Sequence, residues 1–363
     1  MNFDFDEDQK LLADQVKRFL DEQSDMAIVR QALEGDEKFS DDVWRGLADM
    51  GLLGVAIPEQ YGGTGAGYLE LCLVAQQIGA HIAAVPFGST VYLLTEAILQ
   101  FGSEAQKAEW LPKIATGEVK GALAMVESLT QLRAEDVTTA VQGGKLTGSK
   151  TIVSDGSIAE LFLVVAQDGL YLVPNGEGVS TTRVDSVDLT RDSASVQFTD
   201  AACEALEGTN WAALETLLTR AAVPTAFEQL GLAQSALDMG VAYAQERFAF
   251  GRAIGTFQAI KHMLADMYVA MKLAENNCYY AAWALANDAE DLALAAATAR
   301  VGSTQASQLC AKDNIQVHGG MGFTWEFDCH LYYRRANYMA LELGSLSQWE
   351  QKLVQALPNT AAA

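Results

Sequence analysis

An α+β fold, with its strands confined to the middle of the chain, is predicted by three features of these 363 residues. Helical periodicity dominates the first third. Short alternating or β-branched runs fill residues 121–208, and helical texture with almost no proline follows them. Half of the residues are apolar, which supports a large buried core and argues against disorder. The expected domains are 1–120, helical; 121–208, β-rich; and 209–363, a helical bundle.

Each element has a local cause. Asp8 to Leu20 places Leu12, Val16, Phe19 and Leu20 on one face at helical spacing. A second amphipathic stretch, Asp41 to Met50, stops at Gly51. Ile57 to Gly67 is a glycine-dense loop before a helix from Tyr68; no strand feeds it, so its glycines are not a dinucleotide fingerprint. Leu161–Gln167, Leu170–Val173 and Ser193–Thr199 read as strands, divided by Gly143-Gly144, Asp155-Gly156 and Asn175-Gly176. Ala221 to Phe250 is apolar on most sides, as in a helix buried in a bundle, and alanine-rich Ala281 to Ala299 suits close helix packing.

Charge and composition narrow the function. Forty-seven acidic against 24 basic residues give a net charge of −23, which repels nucleic-acid phosphates. Any phosphate-bearing small ligand then needs a few well-placed arginines or lysines. No uncharged apolar run approaches the roughly 18 residues of a membrane span. The acidic N-terminus is unlike a signal peptide, and the five cysteines are scattered without a CxxC pair. The expected setting is cytoplasmic, with reduced thiols, no membrane span and no nucleic-acid partner. The four histidines show no metal-pair spacing, so metal catalysis is not expected.

Two segments concentrate the functional signal: Tyr243 to Met267, containing Arg247-Phe248-Ala249-Phe250-Gly251, and Gln316-Val317-His318-Gly319-Gly320-Met321-Gly322-Phe323-Thr324-Trp325-Glu326. With Ile57-Pro58-Glu59-Gln60-Tyr61-Gly62-Gly63 near the start, they make the chain resemble the acyl-CoA dehydrogenase family. The resemblance implies an N-terminal helical domain, a middle β-barrel or sandwich and a C-terminal four-helix bundle. It also implies FAD at a subunit interface, α,β-desaturation of an acyl-CoA thioester, and an electron-transfer flavoprotein as acceptor. In so acidic a protein the pyrophosphate of a flavin dinucleotide needs a dedicated guanidinium. Arg247 is the candidate, its other reading being an ion pair with Glu246 or another acid. The resemblance has Arg247, Phe250 and Gln258 reach across to the neighbour's FAD, together with Gln316, Gly319 and Gly320. The glycine pair otherwise reads as a plain helix break.

The same resemblance shows departures. The family's own-subunit flavin contacts come from a Thr-Glu-Pro…Gly-Ser-Asp loop. The stretch here, Ala124 to Asp136, lacks the proline and the Gly-Ser-Asp. In Gly148 to Gly156, Ile152 stands where many members place a tryptophan against the flavin, and Ser154 where they place threonine. Desaturation also needs a carboxylate to remove the α-proton. The usual glutamate position falls on Leu343; neighbouring Glu342 points elsewhere on the helix. The alternative position falls on Ala221, or Thr219. Glu228 is the one weak candidate base, its other reading being an acid paired with a basic group. Thr324 to Arg335 is similar to the small subunits of heteromeric α2β2 acyl-CoA dehydrogenases, which act on bulky acyl-CoAs such as steroid side chains and dicarboxylates. His330 there reads as a packing or interface residue. The expectation is a base-lacking subunit that completes a partner's FAD site. A self-sufficient homotetramer using Glu228 or another displaced acid, a cofactor-free structural subunit, and a flavin oxidase or monooxygenase are the alternatives. The retained Arg–Gln–Gly-Gly set argues against a structural subunit.

Overall fold

The computed structural model describes residues 5–128 and 133–357. In chain order the helices are α1 (Glu7–Gln23), α2 (Met26–Glu34), α3 (Asp41–Asp49), α4 (Tyr68–Ala80), α5 (Glu96–Phe101) and α6 (Glu104–Ala115). The strands β1 (Gly121–Ala124), β2 (Ala140–Gln142), β3 (Lys145–Ser154), β4 (Leu161–Ala166), β5 (Gly169–Pro174), β6 (Val179–Arg183), β7 (Ser193–Ala202) and β8 (Glu204–Ala205) follow. Helices return with α7 (Trp211–Glu246). A small hairpin, β9 (Phe248–Ala249) and β10 (Arg252–Ala253), precedes α8 (Gln258–Ala286), α9 (Leu292–His318), α10 (Cys329–Glu342) and α11 (Leu346–Ala356). Helices, then strands, then helices is the predicted plan. Among the described residues no helix is long and apolar enough to cross a membrane.

The chain divides into two compact units. One joins residues 30–67 with 84–221. Its strands form two four-stranded sheets, ordered β1-β4-β5-β8 and β2-β3-β7-β6. Ala122, Phe162, Val164 and Val173 of the first sheet share a core with Leu146, Val153, Val196 and Phe198 of the second, making a sandwich. Every residue of β4 is buried, as its unbroken apolar run requires. Strand β4 pairs parallel to β1 and antiparallel to β5. Gly143 and Gly144, both at positive φ, turn β2 into β3. In the same unit Ser40 caps α3, and Gly51 at φ 73° ends its last turn.

The other unit gathers residues 1–29, 68–83 and 222–363. Helix α1 opens with a reciprocal cap between Asp6 and Gln9, and buries Val16 and Leu20 from the expected face. Helices α4 and α7 cross at closest approach through reciprocal glycines. A Cβ at Gly79 would lie 1.8 Å from the Glu228 carbonyl oxygen, and one at Gly231 would lie 1.9 Å from that of Gln76. Two details differ from the sequence reading. Helix α7 begins ten residues earlier, at Trp211, and ends at Glu246, so Phe250 belongs to the hairpin. The alanine-rich stretch is broken between Ala286 and Leu292, where Asp288 adopts φ 44°.

Candidate functional site

The first motif lies at the end of α7, where the chain cannot stay helical. Phe250 (φ 54°) and Gly251 (φ 80°) both take left-handed backbone, the geometry of a two-residue hairpin turn. Glycine adopts this at no cost; phenylalanine does not, so the hairpin is held by its surroundings. The Ile254 amide donates to the Arg247 carbonyl at 2.8 Å. Phe257 meets Phe250 edge-on at 6.2 Å, and the Arg252 guanidinium lies over its ring at 4.0 Å. Phe250 is nonetheless 96% exposed. Arg247 is exposed and, among the described residues, has no carboxylate within ion-pair distance, Glu246 included. Gln258 is the first residue of α8, where backbone N–H groups lack helical partners.

The second motif closes α9. Gly319 ends the helix at φ 60°, ψ −134°, a conformation essentially restricted to glycine. Beyond both Gly319 and Gly320 there is open space where a Cβ would stand, and Gln316 is exposed one turn earlier. The two motifs meet through aromatic stacking: the Tyr243 ring lies 4.0 Å from His318 at 24°, with Phe327 edge-on to both. The His318 Nδ1 sits 2.9 Å from the Asn314 carbonyl, so Nδ1 carries the proton. Burial lowers the pKa of His318 and favours the neutral ring, against the pull of that hydrogen bond. Together these residues offer an unpaired guanidinium, a helix N-terminus and bare glycine backbone on one unit, donors suited to a polyanionic ligand. Phe323 beside them is 80% exposed.

Ser154 and Ile152 belong to the other unit. Ile152 lies at a β3 irregularity opposite β7, takes φ 41° and is 46% exposed. This is a strained conformation for a β-branched side chain. Ser154 ends the strand, half-buried, beside an Asp155 carboxylate held by Arg191 (2.6 Å) and Ser89 (2.6 Å). Of the departing loop, Leu129 to Leu132 lie outside the described residues; Glu127 can be placed. Its carboxylate accepts from both the amide and the hydroxyl of Thr138 and of Thr139, and from Lys150 Nζ at 2.8 Å. Burial opposes the charge on Glu127, but these donors outweigh it and hold the carboxyl at about 2. At fully buried Lys150 burial dominates and lowers the pKa, despite Glu127.

This pair was not singled out by sequence reasoning. A lysine in phase with inward-facing Leu146 on an alternating strand was the available signal. Removing the Lys150 ammonium strands a half-buried carboxylate, so Lys150→Met is expected to lower the urea-unfolding free energy by about 3 kcal/mol. The Glu127 pKa is depressed on folding. Its stabilisation is therefore complete above the ordinary value of 4.5 and is lost as pH falls towards about 2. Glu127→Gln is expected to flatten the pH dependence of stability in that window, read from urea midpoints.

The candidate base positions hold no free carboxylate. Leu343 is buried and caps α10, its carbonyl accepting from Trp349 Nε1 at 3.1 Å. Ala221 is buried, and the Thr219 hydroxyl returns to the Glu215 carbonyl at 2.8 Å. Glu228 is 2% exposed on α7, with Arg335 Nη1 4.0 Å from its Oε1. Arg335 of α10 also donates to the carbonyls of Ile82 and Ala83, each at 3.3 Å, supporting a turn in which Ile82 has φ 42°. A second buried cation, Arg300, donates to the Met339 carbonyl; burial lowers it to about 10, while Glu342 and Glu228 oppose that shift. Glu228 thus lies among buried arginines, the structural alternative foreseen for it. No local pattern in the sequence marks Arg335 as the partner of Glu228.

Comparison with known proteins is consistent along the chain. Residues 6–118 match the family described as acyl-CoA dehydrogenase, N-terminal domain, and residues 208–347 match acyl-CoA dehydrogenase, C-terminal domain. Acyl-CoA dehydrogenase FadE27 of Mycobacterium tuberculosis is 30% identical over 348 residues, covering 90% of this chain and 91% of the relative. The ChsE4-ChsE5 complex from Mycobacterium tuberculosis contains a chain with TM-score 0.90 and 29% identity, covering 99% of this chain and 100% of that one. A chain of the Tcur3481-Tcur3483 steroid ACAD superposes with TM-score 0.89 at 28% identity, over 98% of this chain and 99% of that one.

Proposed function

The chain belongs to the acyl-CoA dehydrogenase family, and from that premise we propose that it is the base-lacking subunit of a heteromeric, FAD-dependent acyl-CoA dehydrogenase. In this reading Arg247 holds the pyrophosphate of a FAD seated on the partner chain. Phe250 covers the nucleotide from the hairpin tip, Gln258 and Gln316 bond to it, and Gly319 and Gly320 let backbone approach it. The FAD, when bound, accepts the β-hydride of the acyl-CoA. The partner supplies the carboxylate that removes the α-proton. The electron acceptor is an electron-transfer flavoprotein, and the similarity to a steroid ACAD favours a bulky acyl group.

One observation carries the assignment: each position from which a family base would act is occupied by a buried or backbone-bonded non-acid, and Glu228 faces Arg335. A buried carboxylate facing a buried guanidinium suits a structural ion pair. A guanidinium that has no acid within ion-pair distance among the described residues, in a chain of charge −23, supports the nucleotide-holding role of Arg247.

Purification of the chain alone, and together with a co-expressed acyl-CoA dehydrogenase-like partner, tests this. Little flavin and no dye-linked acyl-CoA oxidation are expected from the chain alone, with both present in the complex. Turnover by the isolated chain would overturn the proposal in favour of a self-sufficient enzyme, and a flavin-free complex would favour a structural subunit. Glu228→Gln in the complex is expected to leave kcat within about twofold while lowering Tm, since it unbalances a buried ion pair. A thousandfold loss of kcat at unchanged fold would make Glu228 the base.

A further inference from the structure

A second arginine, Arg252, lies on the same hairpin as Arg247. In β9 and β10 Ala249 pairs with Arg252 and Phe248 with Ala253, while the Ile254 amide donates to the Arg247 carbonyl at 2.8 Å. Side chains alternate between the two faces of such a ladder, so Arg247, Ala249 and Arg252 share one face. The two arginines are diagonal neighbours there. Diagonal positions in a ladder lie roughly 7–8 Å apart, within reach of two guanidiniums that converge on one ligand. Arg252 is exposed, and among the described residues it has no carboxylate within ion-pair distance. Arg183, Arg191, Arg220 and Arg335, by contrast, are each matched by an aspartate or a glutamate. From Arg247 to Ala265 the sequence holds Arg247, Arg252 and Lys261 and no acid, in a chain of charge −23. The potential of this face is therefore opposite in sign to that of the whole chain.

Arg252 is also held in place before any ligand arrives. Its guanidinium lies 4.0 Å from the centre of the Phe257 ring, and Phe250 braces that ring edge-on at 6.2 Å. Stacking occupies the flat face of a guanidinium and leaves the N–H donors at its edge open to an acceptor. A side chain fixed in this way loses less rotamer freedom on binding than a free one. Gly251 beside it leaves open space where a Cβ would stand.

We propose that Arg252 is a second phosphate-binding residue, which with Arg247 makes the hairpin a clamp for a diphosphate rather than for a single phosphate. One guanidinium satisfies one phosphoryl group through two parallel hydrogen bonds, and two on one face suit an anion with two such groups in sequence. The moiety read by this chain is then a nucleoside diphosphate, the ADP half of the dinucleotide, and the clamp discriminates ADP from AMP. The identity of the ligand rests on the flavin reading; the pairing of the arginines rests on the hairpin alone.

FAD titration of the deflavinated complex, with ADP and AMP as competitors and Tm measured in parallel, tests the clamp. Against the unsubstituted complex ADP is expected to displace FAD at about thirtyfold lower concentration than AMP, the worth of hydrogen bonds from one further charged donor. Arg252→Ala is expected to weaken FAD and ADP about thirtyfold each and AMP by less than about threefold, with little change in Tm. Arg252→Lys keeps the charge but neither stacks flat nor presents a fork, and is expected to recover only a minor part of the loss. ADP no better than AMP against the unsubstituted complex, unchanged FAD and ADP affinity in Arg252→Ala, or equal losses for ADP and AMP with a matching fall in Tm would each overturn the proposal. In those cases an Arg247→Ala variant that still loses FAD shows that only the clamp has failed. Retention of FAD by both alanine variants shows that the flavin reading has failed with it.

Discussion

Gly79→Ala is expected to destabilise the helical unit by about 3 kcal/mol, the reverse of the sign that a glycine-to-alanine change has in an open helix. Glycine within a helix costs roughly 0.5–1 kcal/mol relative to alanine, so an unhindered Gly→Ala change stabilises. At Gly79 the new methyl would stand 1.8 Å from the Glu228 carbonyl oxygen, well inside any real contact. Backbone rather than a flexible side chain is in the way, so α4 and α7 must separate, and the cost is that of overpacking. Gly231 has the same relation to Gln76, which makes the crossing reciprocal. A shift of the urea midpoint equivalent to less than 1 kcal/mol would mean that the helices are not in backbone contact. This crossing also bears on function: it fixes the α7 backbone at Glu228 while Arg335 engages its carboxylate.

Arg247→Ala is expected to weaken FAD retention by the assembled enzyme about a hundredfold, with little effect on thermal stability. Hydrogen bonds from a charged group are worth roughly 1.5–3 kcal/mol, and a guanidinium can make two to a diphosphate. Because Arg247 is exposed and, among the described residues, has no acid within ion-pair distance, its loss breaks no fold contact of that kind. Arg247→Lys keeps the charge but loses the paired donors, and is expected to recover only part of the affinity. FAD titration of the deflavinated complex, with Tm measured in parallel, checks both. Equal losses of stability and flavin affinity would instead make Arg247 a structural residue.

Local patterns in the sequence disclosed most of the fold. Val16 and Leu20 are buried as their helical spacing required, the glycine-dense loop precedes α4 at Tyr68, and the apolar run 161–166 became the wholly buried β4. The helix ends were less legible. Alanine-rich texture runs through the α8–α9 break without a glycine or proline to mark it, and the left-handed Asp288 is a weak signal. At the candidate site the Arg247 and Gly319-Gly320 motifs stood out through the family resemblance, whereas the hairpin at Phe250-Gly251 lies at the end of a stretch that reads as helix. The environment of Glu228 was not legible, since a buried ion pair with Arg335 joins helices far apart in the chain. Lys150 was hidden for a related reason: a charge in phase with an inward face reads as surface until its partner, Glu127, is located.

The central claim is that the pocket is divided, with this chain holding a nucleotide whose reactive ring belongs to its partner. Counting FAD per chain pair in the purified complex, by released-flavin absorbance against protein mass, tests it most directly. One FAD per pair is the expected result, dropping towards none in Arg247→Ala. Two FAD per pair, insensitive to Arg247, would contradict the account, because this chain would then seat a flavin of its own.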